Sequence, residues 1–154
     1  MTESASPYKR PESVLVVVYT QTGKVLLLKR ADHPDFWQSV TGSMRWDEDD
    51  PRVTVARELE EETGIQTAPQ TLWDLKMTQC FPILPQWRHR YAPDATQNVE
   101  HAFAIELAQE VTPRIAPREH TEYDWFSFDD AQRKVASWAN RNAIRKVQEQ
   151  LVKK

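Results

Sequence analysis

The chain has one cysteine, Cys80, among its 154 residues, so it cannot form an internal disulfide framework. It also lacks long apolar runs, since the longest, residues 14–19 and 25–28, are far shorter than the roughly 20 residues that span a bilayer. Near Met1 no basic segment precedes an apolar region with a cleavage site. We therefore expect a cytoplasmic protein with no membrane contact.

The chain has no excess of positive charge either. Its formal net charge is −3 and its pI is about 5.8, whereas a general nucleic-acid binder normally presents a basic face. A nucleic-acid polymer is therefore not an expected partner. The length suits a single domain, which we place at residues 8–154 after a flexible segment at residues 1–7. The oligomeric state stays open between monomer and dimer.

What the chain does have is an acidic segment with clear helix boundaries. Asp50 followed by Pro51 is typical of an N-cap and a first helical residue, and Gly64 is typical of the residue that ends a helix. The sequence therefore predicts a helix over residues 51–63.

Three carboxylates of this helix fall within about 100° of one another, away from the apolar side, and we expect them to face solvent together. They are Glu58, Glu61 and Glu62. Like charges four residues apart near the C-terminal end of a helix are unfavourable, so a cation should compensate them. Oxygen ligands without histidine or cysteine suit Mg²⁺ or Mn²⁺ rather than zinc. The alternative is a solvated acidic face, the commoner origin of such a run.

The order of the residues favours the metal site. Residues 57–65, RELEEETGI, resemble the second half of the Nudix box, which reads Arg, Glu, aliphatic, any, Glu, Glu, any, Gly, aliphatic. The resemblance implies an α/β (α+β) fold, an α/β/α sandwich with a mixed β-sheet and a catalytic loop-helix-loop that binds divalent metal and cleaves a diphosphate linkage. It implies that Glu58, Glu61 and Glu62 are metal ligands, that Arg57 holds them in place by ion pairing, and that Gly42 and Gly64 are structural.

The first half of the box departs from this pattern. Five residues separate Gly42 from Glu48, as in the family, but eight rather than seven separate Glu48 from Arg57. Either the loop has an extra residue at Asp49–Asp50, or Asp49 takes the position of the early glutamate. The loop could accept an extra residue at little cost, whereas an insertion within the helix would rotate the carboxylates by about 100°.

The remaining pattern is mostly strands. We predict strands at residues 13–19, 24–30, 36–41, 72–78, 100–107 and 123–128, a long loop or edge hairpin at 81–98, a short helix capped by Asp129 and Asp130, and an amphipathic helix from Asn140. Loops as long as 81–98 within compact domains are often functional.

Several cations could bind a polyphosphate, because phosphate groups are recognised by Arg forks and Lys point charges. The candidates are Lys9, Arg10, Arg30, Arg88 and Arg90. Each alone could be an ordinary surface residue.

Further segments resemble one branch of the Nudix family, the bacterial dihydroneopterin triphosphate pyrophosphohydrolases. They are YKRP at 8–11, DFWQSVTGS at 35–43, RHRYAP at 88–93, EH at 119–120, and SW at 137–138. The resemblance implies that Glu119 joins the metal ligands and that substrate contacts Lys9, Arg30, Thr41, Phe81, Pro82, Ile83, Leu84 and Ser137. Thr41 could instead be an ordinary strand residue, Phe81 and Ile83 core residues, and Ser137 a helix cap.

The activity implied is Mg²⁺-dependent hydrolysis of dihydroneopterin triphosphate to the monophosphate and pyrophosphate, with Mn²⁺ as a substitute, in folate biosynthesis. Glu61, Glu62 or Glu119 would accept the proton from water. Two alternatives use the same fold: a pyrophosphohydrolase of dATP or of oxidised nucleotides, and an inactive ligand-binding module.

Overall fold

The computed structural model describes residues 6–33 and 35–152. Residues 1–5, most of the segment predicted to be flexible, lie outside the described residues. No helix in the described ranges is long and apolar enough to cross a membrane.

The described residues form one seven-stranded mixed sheet. Its strands are β1 (Glu12–Thr20), β2 (Lys24–Arg30), β3 (Trp37–Gln38), β4 (Val40–Ser43), β5 (Trp73–Pro82), β6 (Gln97–Leu107) and β7 (His120–Ser127). The order is β3-β2-β1-β6-β5, with β4 paired to β1 and β7 paired to β2. Strands β1 and β6 are parallel and the other pairs are antiparallel, so the prediction of a mixed sheet is confirmed.

Strand β1 has different neighbours along its length. It pairs with β6 from Glu12 to Thr20, but its pairing with β2 is confined to Tyr19 and Val25. The first half of β1 pairs instead with β4, while β2 continues with β3. The sheet therefore opens between β1 and β2, and the chain crosses this opening at Ser39, between β3 and β4.

Helices cover both faces of the sheet. On one face α2 (Phe128–Lys134) and α3 (Trp138–Val152) pack with Val17, Leu27 and Ala104. On the other, α1 (Pro51–Thr63) packs through Val55 and Leu59. Adjacent residues of β6 point to opposite faces, as strand alternation predicts. The result is the predicted α/β/α arrangement.

The predicted bounds of α1 are confirmed. The Asp50 carboxylate accepts a hydrogen bond of 3.0 Å from the backbone N–H of Arg52, and Pro51 is the first helical residue. Gly64 has φ +78°, in the left-handed region, and its N–H donates to the Glu60 carbonyl. Both ends of the helix are therefore capped as the sequence indicated.

Two local predictions need correction. The predicted strand at 36–41 is two short strands, because the chain changes partner from β2 to β1 at Ser39. The short helix α2 is capped by Ser127, whose hydroxyl accepts from the N–H of Asp130, and not by Asp129 or Asp130. The serine lies one residue before the first helical residue, where an N-cap belongs.

The segment at 81–98 is an edge hairpin, one of the two predicted forms. Strand β5 continues to Pro82, which pairs with Gln97 of β6, and a 3-10 helix follows at Pro85–Arg90. Since β5 is an edge strand, Pro82 removes no hydrogen bond that an inner neighbour needs.

Candidate active site

A cavity of about 1170 Å³ lies at the opening between β1 and β2. Most of the residues singled out from the sequence line it: Lys9, Arg10, Arg30, Thr41, Gly42, Arg57, Glu58, Glu62, Phe81, Pro82, Ile83, Leu84, Arg90, Glu119 and Ser137. Residues far apart in the chain are thus brought to one site. Glu61 and Gly64 are not in its lining.

Arg57 joins the helix to the loop that precedes it. Its Nε donates to Glu48 at 2.8 Å and its Nη1 donates to Glu58 at 2.8 Å and to Glu61 at 2.9 Å. One guanidinium therefore contacts three carboxylates. These contacts, above all the hydrogen bonds to Glu48, raise the pKa of Arg57 above the ordinary value of arginine. The predicted role of Arg57 as an ion-pairing anchor matches this geometry.

Glu48 is the acidic residue of the loop that reaches Arg57. Its Oε1 also accepts from the N–H of Arg45 at 2.7 Å and from the Thr54 hydroxyl at 2.9 Å. Burial opposes ionisation of this carboxyl, but the hydrogen bonds outweigh it and lower its pKa to about 2. Asp49 is exposed. The structure therefore places Glu48 in the early glutamate position and the extra residue in the loop.

A second cluster lies deeper in the cavity. Glu62, Glu119 and His120 each offer a ligand atom, and these atoms all lie within 4.8 Å of one another. The Glu62 side chain is only 2 % exposed, and its Oε1 lies 3.7 Å from His120 Nδ1. Both of these atoms are buried without a hydrogen-bond partner. Since buried polar atoms are normally paired, the cluster lacks a partner that a ligand could supply.

The charges in this cluster are unfavourable for the protein alone. Burial, followed by hydrogen bonding and charge from Glu58, raises the pKa of Glu62 well above its usual value. Burial and then the charges of Glu58 and Glu61 raise the pKa of Glu119. Burial lowers the pKa of His120 to about 4, so the ring is neutral near pH 7 and offsets no carboxylate charge. A divalent cation would stabilise the ionised carboxylates.

The Glu58 side chain lines the cavity and packs directly against Gly42. A Cβ on Gly42 would overlap the Glu58 side chain, so a larger residue there would displace Glu58 from its present position. Glu58 thereby lies between Arg57 and Glu62.

Cations gather beside the carboxylates. The Arg30 guanidinium lies 4.6 Å from the centre of the Trp87 ring and donates two hydrogen bonds of 2.7 Å to Asp32. Burial, then the charges of Arg90 and Arg30, lower the pKa of Lys9, which therefore faces other cations. An anion bound among them would relieve this repulsion.

Arg10 and Arg88, two further candidates for phosphate binding, lie in surroundings unlike those of Lys9 and Arg30. Arg10 donates to Glu12 and to the backbone carbonyls of Arg45 and Glu48, so it ties down the loop at residues 44–50, between β4 and α1, which we call the metal loop. Arg88 does not line the cavity, although Arg10 does.

The far end of the cavity is formed by the edge hairpin and the start of α3. Ile83 is buried, and the Ser137 hydroxyl accepts from the N–H of Asn140 at 3.3 Å. Both predicted contact residues thus also have the structural roles that the sequence left open. Asn140 exchanges two hydrogen bonds, of 2.8 and 2.9 Å, with Ser39, which fixes α3 to the crossing between β3 and β4.

Residues 9–147 of this chain match the model of the NUDIX domain family. This chain belongs to the Nudix family. It is 45% identical over 140 residues to the dihydroneopterin triphosphate diphosphatase of Escherichia coli strain K12, covering 89% of this chain and 91% of that protein. With the enzyme of the same name from Haemophilus influenzae it is 42% identical over 142 residues, covering 90% and 88%.

The structure of the E. coli dihydroneopterin triphosphate pyrophosphohydrolase is similar throughout, with a TM-score of 0.84 and 42% identity, covering 92% of this chain and 97% of that one. A Nudix hydrolase structure from Listeria monocytogenes gives a TM-score of 0.77 at 25% identity, covering 94% and 96%. Both confirm the Nudix fold.

The Nudix helix does not present its three glutamates to solvent together, so that prediction is wrong. Glu62 is buried, whereas Glu61 lies outside the cavity lining with a side chain 47% exposed, held by Arg57 and, at 3.6 Å, by Arg45. An arc of about 100° is wide enough to span the border between the packed and exposed sides of a helix.

The residues present fit a divalent cation. Glu58, Glu62 and Glu119 supply carboxylate oxygens, the ligands that Mg²⁺ and Mn²⁺ prefer, and the unpaired Glu62 Oε1 is available for one. His120 is the single nitrogen ligand of the group that the described residues bring together.

Sequence reasoning gave no role in the site to His120 or Glu100, although both line the cavity. His120 follows Glu119 directly, and its position beside a candidate ligand was the available signal. Glu100 precedes Ala102 and Ala104 on one side of β6, so a charged residue on an otherwise apolar side was the signal there. Only the tertiary structure shows that both border the same cavity.

Proposed function

We propose that this protein hydrolyses dihydroneopterin triphosphate to dihydroneopterin monophosphate and pyrophosphate, with Mg²⁺ as the metal and Mn²⁺ as a substitute. One observation carries the proposal: a single cavity joins a cluster of carboxylates to a group of cations and to a separate polar and aromatic end. A triphosphate with a flat, polar head group would match these three parts. The names of the relatives in E. coli and H. influenzae support the choice of the pterin.

The carboxylates would hold the metal. Glu58, Glu62 and Glu119 face the cavity together, and Arg57 fixes Glu58 from the other side. Glu61, held at the rim by Arg57, would adjust the charge of this group from outside the cavity. When bound, Mg²⁺ neutralises charge on the phosphoryl oxygens and lowers the pKa of water.

The proton acceptor that we favour among the predicted candidates is Glu119. Its side chain is exposed to the cavity and its pKa is raised by burial and by neighbouring carboxylates, as suits a general base. Glu62 is buried against His120 and is better suited to holding the metal.

The cations would bind the phosphates. Lys9 and Arg30 both interact electrostatically with Glu119, so they lie beside the carboxylates rather than at the head-group end. Arg30 is already oriented by Asp32 and Trp87, which reduces the entropy lost on binding.

The head group would lie towards the edge hairpin and α3. Phe81 offers a ring for stacking, and the backbone of residues 82–84 offers polar groups at the cavity wall. Thr41 and Ser137 also line the cavity, with hydroxyl groups that could contact the substrate.

Product analysis tests this proposal. Dihydroneopterin triphosphate incubated with the protein and Mg²⁺ should give pyrophosphate and the monophosphate, followed by ³¹P NMR, and chelation of the metal should stop the reaction. Absence of metal-dependent turnover, as for an inactive binding module, would overturn the proposal. Release of orthophosphate alone would also overturn it.

A further inference from the structure

Glu100 is a carboxylate of the cavity wall without a partner. It lies in β6, directly opposite Ser13 of β1 and Gln79 of β5. Its side chain is partly buried and lines the cavity. Among the described residues, no hydrogen bond or ion pair reaches it. Burial raises the pKa of the Glu100 carboxyl to about 7, so the fold holds this group at a cost.

The atoms around Glu100 are also unpaired acceptors. Gln79 Oε1 and Asn98 Oδ1 are buried without a hydrogen-bond partner. Asn98 Nδ2 donates to the Ser13 hydroxyl at 2.7 Å and is therefore already engaged. Glu100 and Asn98 line the cavity, and Gln79 lies opposite Glu100 on β5; we call these three residues, with their unpaired acceptor oxygens, the acceptor patch. Such a patch is unfavourable unless a ligand brings donors to it.

The acceptor patch is separated from the carboxylates that would hold the metal. Ser13 pairs with Ser43 of β4 on one side and with Glu100 of β6 on the other. Two strand spacings, about 10 Å, therefore separate Glu100 from Ser43, the last residue of β4 before the metal loop. Glu58 packs against Gly42 of the same strand. A ligand with its phosphates at the metal loop would extend its other end towards Glu100.

The acceptor patch favours a ligand ring whose edge carries hydrogen-bond donors. A carboxylate has two oxygens in one plane and binds best to two donors held side by side. The 2-amino-4-oxopyrimidine ring of a pterin presents such a pair, a ring N–H next to an amino group. Guanine presents the same pair, whereas adenine and cytosine present a ring acceptor beside their amino group.

We propose that Glu100 determines head-group specificity by accepting hydrogen bonds from the ring N–H and the adjacent amino group of the pterin. This inference rests on the proposed function for the identity of the substrate. Glu100 would orient the head group without touching the reacting phosphates. A head group with an acceptor at that place would leave the carboxylate unpaired and be rejected, which is the stronger form of discrimination.

Glu100→Gln tests the inference, since it keeps the shape but replaces one acceptor with a donor. We expect kcat/KM for dihydroneopterin triphosphate to fall by about 30-fold or more, mainly through KM, with a parallel fall for dGTP. For dATP kcat/KM should change by less than about threefold. Inhibition by inorganic tripolyphosphate, which has no head group, should be unchanged.

Glu106→Gln is the matched control, because Glu106 lies on the same strand, is exposed and is bonded to Gln21. It should leave all three substrates unaffected. If Glu100→Gln lowers the rates for dATP and the pterin equally, or changes neither, Glu100 does not read the head group and the inference is overturned. Failure of the proposed function is distinct, since the wild-type protein would then fail to hydrolyse the pterin triphosphate.

Discussion

The two ends of the cavity differ in how their polar groups are paired. At the metal loop Arg57 binds Glu48, Glu58 and Glu61 and leaves the buried oxygen of Glu62 unpaired. At the acceptor patch no cation compensates Glu100 among the described residues. One end thus needs a cation and the other needs neutral donors. Unpaired atoms within an otherwise bonded fold indicate where each part of a ligand binds.

The largest expected effect concerns Glu62. Glu62→Gln removes the buried carboxylate and should lower kcat by at least about 100-fold, because in the proposed function this carboxylate holds the metal that stabilises the transition state. Mn²⁺ binding, followed by electron paramagnetic resonance, should weaken in parallel. Glu60→Gln is the control, since the Glu60 side chain is exposed and accepts a hydrogen bond from Gln66 at the surface. Equal activity of the two variants would remove Glu62 from the mechanism.

Glu61 should matter less, although the sequence groups it with the others. Its side chain is half exposed and lies at the rim, so Glu61→Gln removes one of three carboxylates bound to Arg57 without opening the buried cluster. We expect kcat to fall by about tenfold, with Mn²⁺ affinity within a few-fold of the wild-type value. A loss as large as that of Glu62→Gln would show that Glu61 moves into the cavity during turnover.

The acceptor patch should affect stability in a pH-dependent way. The Glu100 pKa is about 7 in the folded protein against 4.5 for an ordinary glutamate. As the pH rises from 4.5 to 7, the unfolded chain loses the proton first and gains stability relative to the folded protein. Glu100→Gln should therefore increase the free energy of unfolding by about 2 kcal/mol at pH 8 and by little at pH 5.

Urea denaturation at both pH values measures this difference. A gain of the same size at pH 5 and pH 8 would mean that the Glu100 carboxyl is not perturbed by burial. The comparison does not depend on activity, so it probes the acceptor patch even without substrate.

The smallest effect is expected in the metal loop. Asp49 is exposed and precedes the helix cap, so its deletion should leave the melting temperature almost unchanged and activity partly preserved. Glu48→Gln should lower the melting temperature, since Glu48 is bonded to Arg57, Arg45 and Thr54. If the Asp49 deletion is the more harmful change, Asp49 and not Glu48 takes the position of the early glutamate.

The contiguous part of the site could be predicted from the sequence. The order of the residues predicts the helix, its two caps and the ion pairs of Arg57, because the spacing along a helix fixes which side chains meet. Whether Glu62 is buried could not be read, since that depends on strand β7 packing against α1 through His120. Glu100 was missed for the same reason: it becomes a cavity residue only through its pairing with β1 and β5.

The edge hairpin shows where pattern reasoning reaches its limit. Prolines indicated a poor central strand at 81–98, and β5 is indeed an edge strand. Its continuation to Pro82 depends on pairing with Gln97, a partner that the spacing of prolines does not reveal.

Substrate selectivity of the wild-type protein tests the account most directly. The cations beside the metal loop would bind any triphosphate, so discrimination must come from the head-group end. We predict that kcat/KM for dihydroneopterin triphosphate exceeds that for dATP and dCTP by about tenfold or more, with dGTP and 8-oxo-dGTP, which present the same pair of donors, the best of the nucleotides. A nucleotide preferred over the pterin by about tenfold would contradict the proposed substrate while leaving the Nudix fold and its metal site in place.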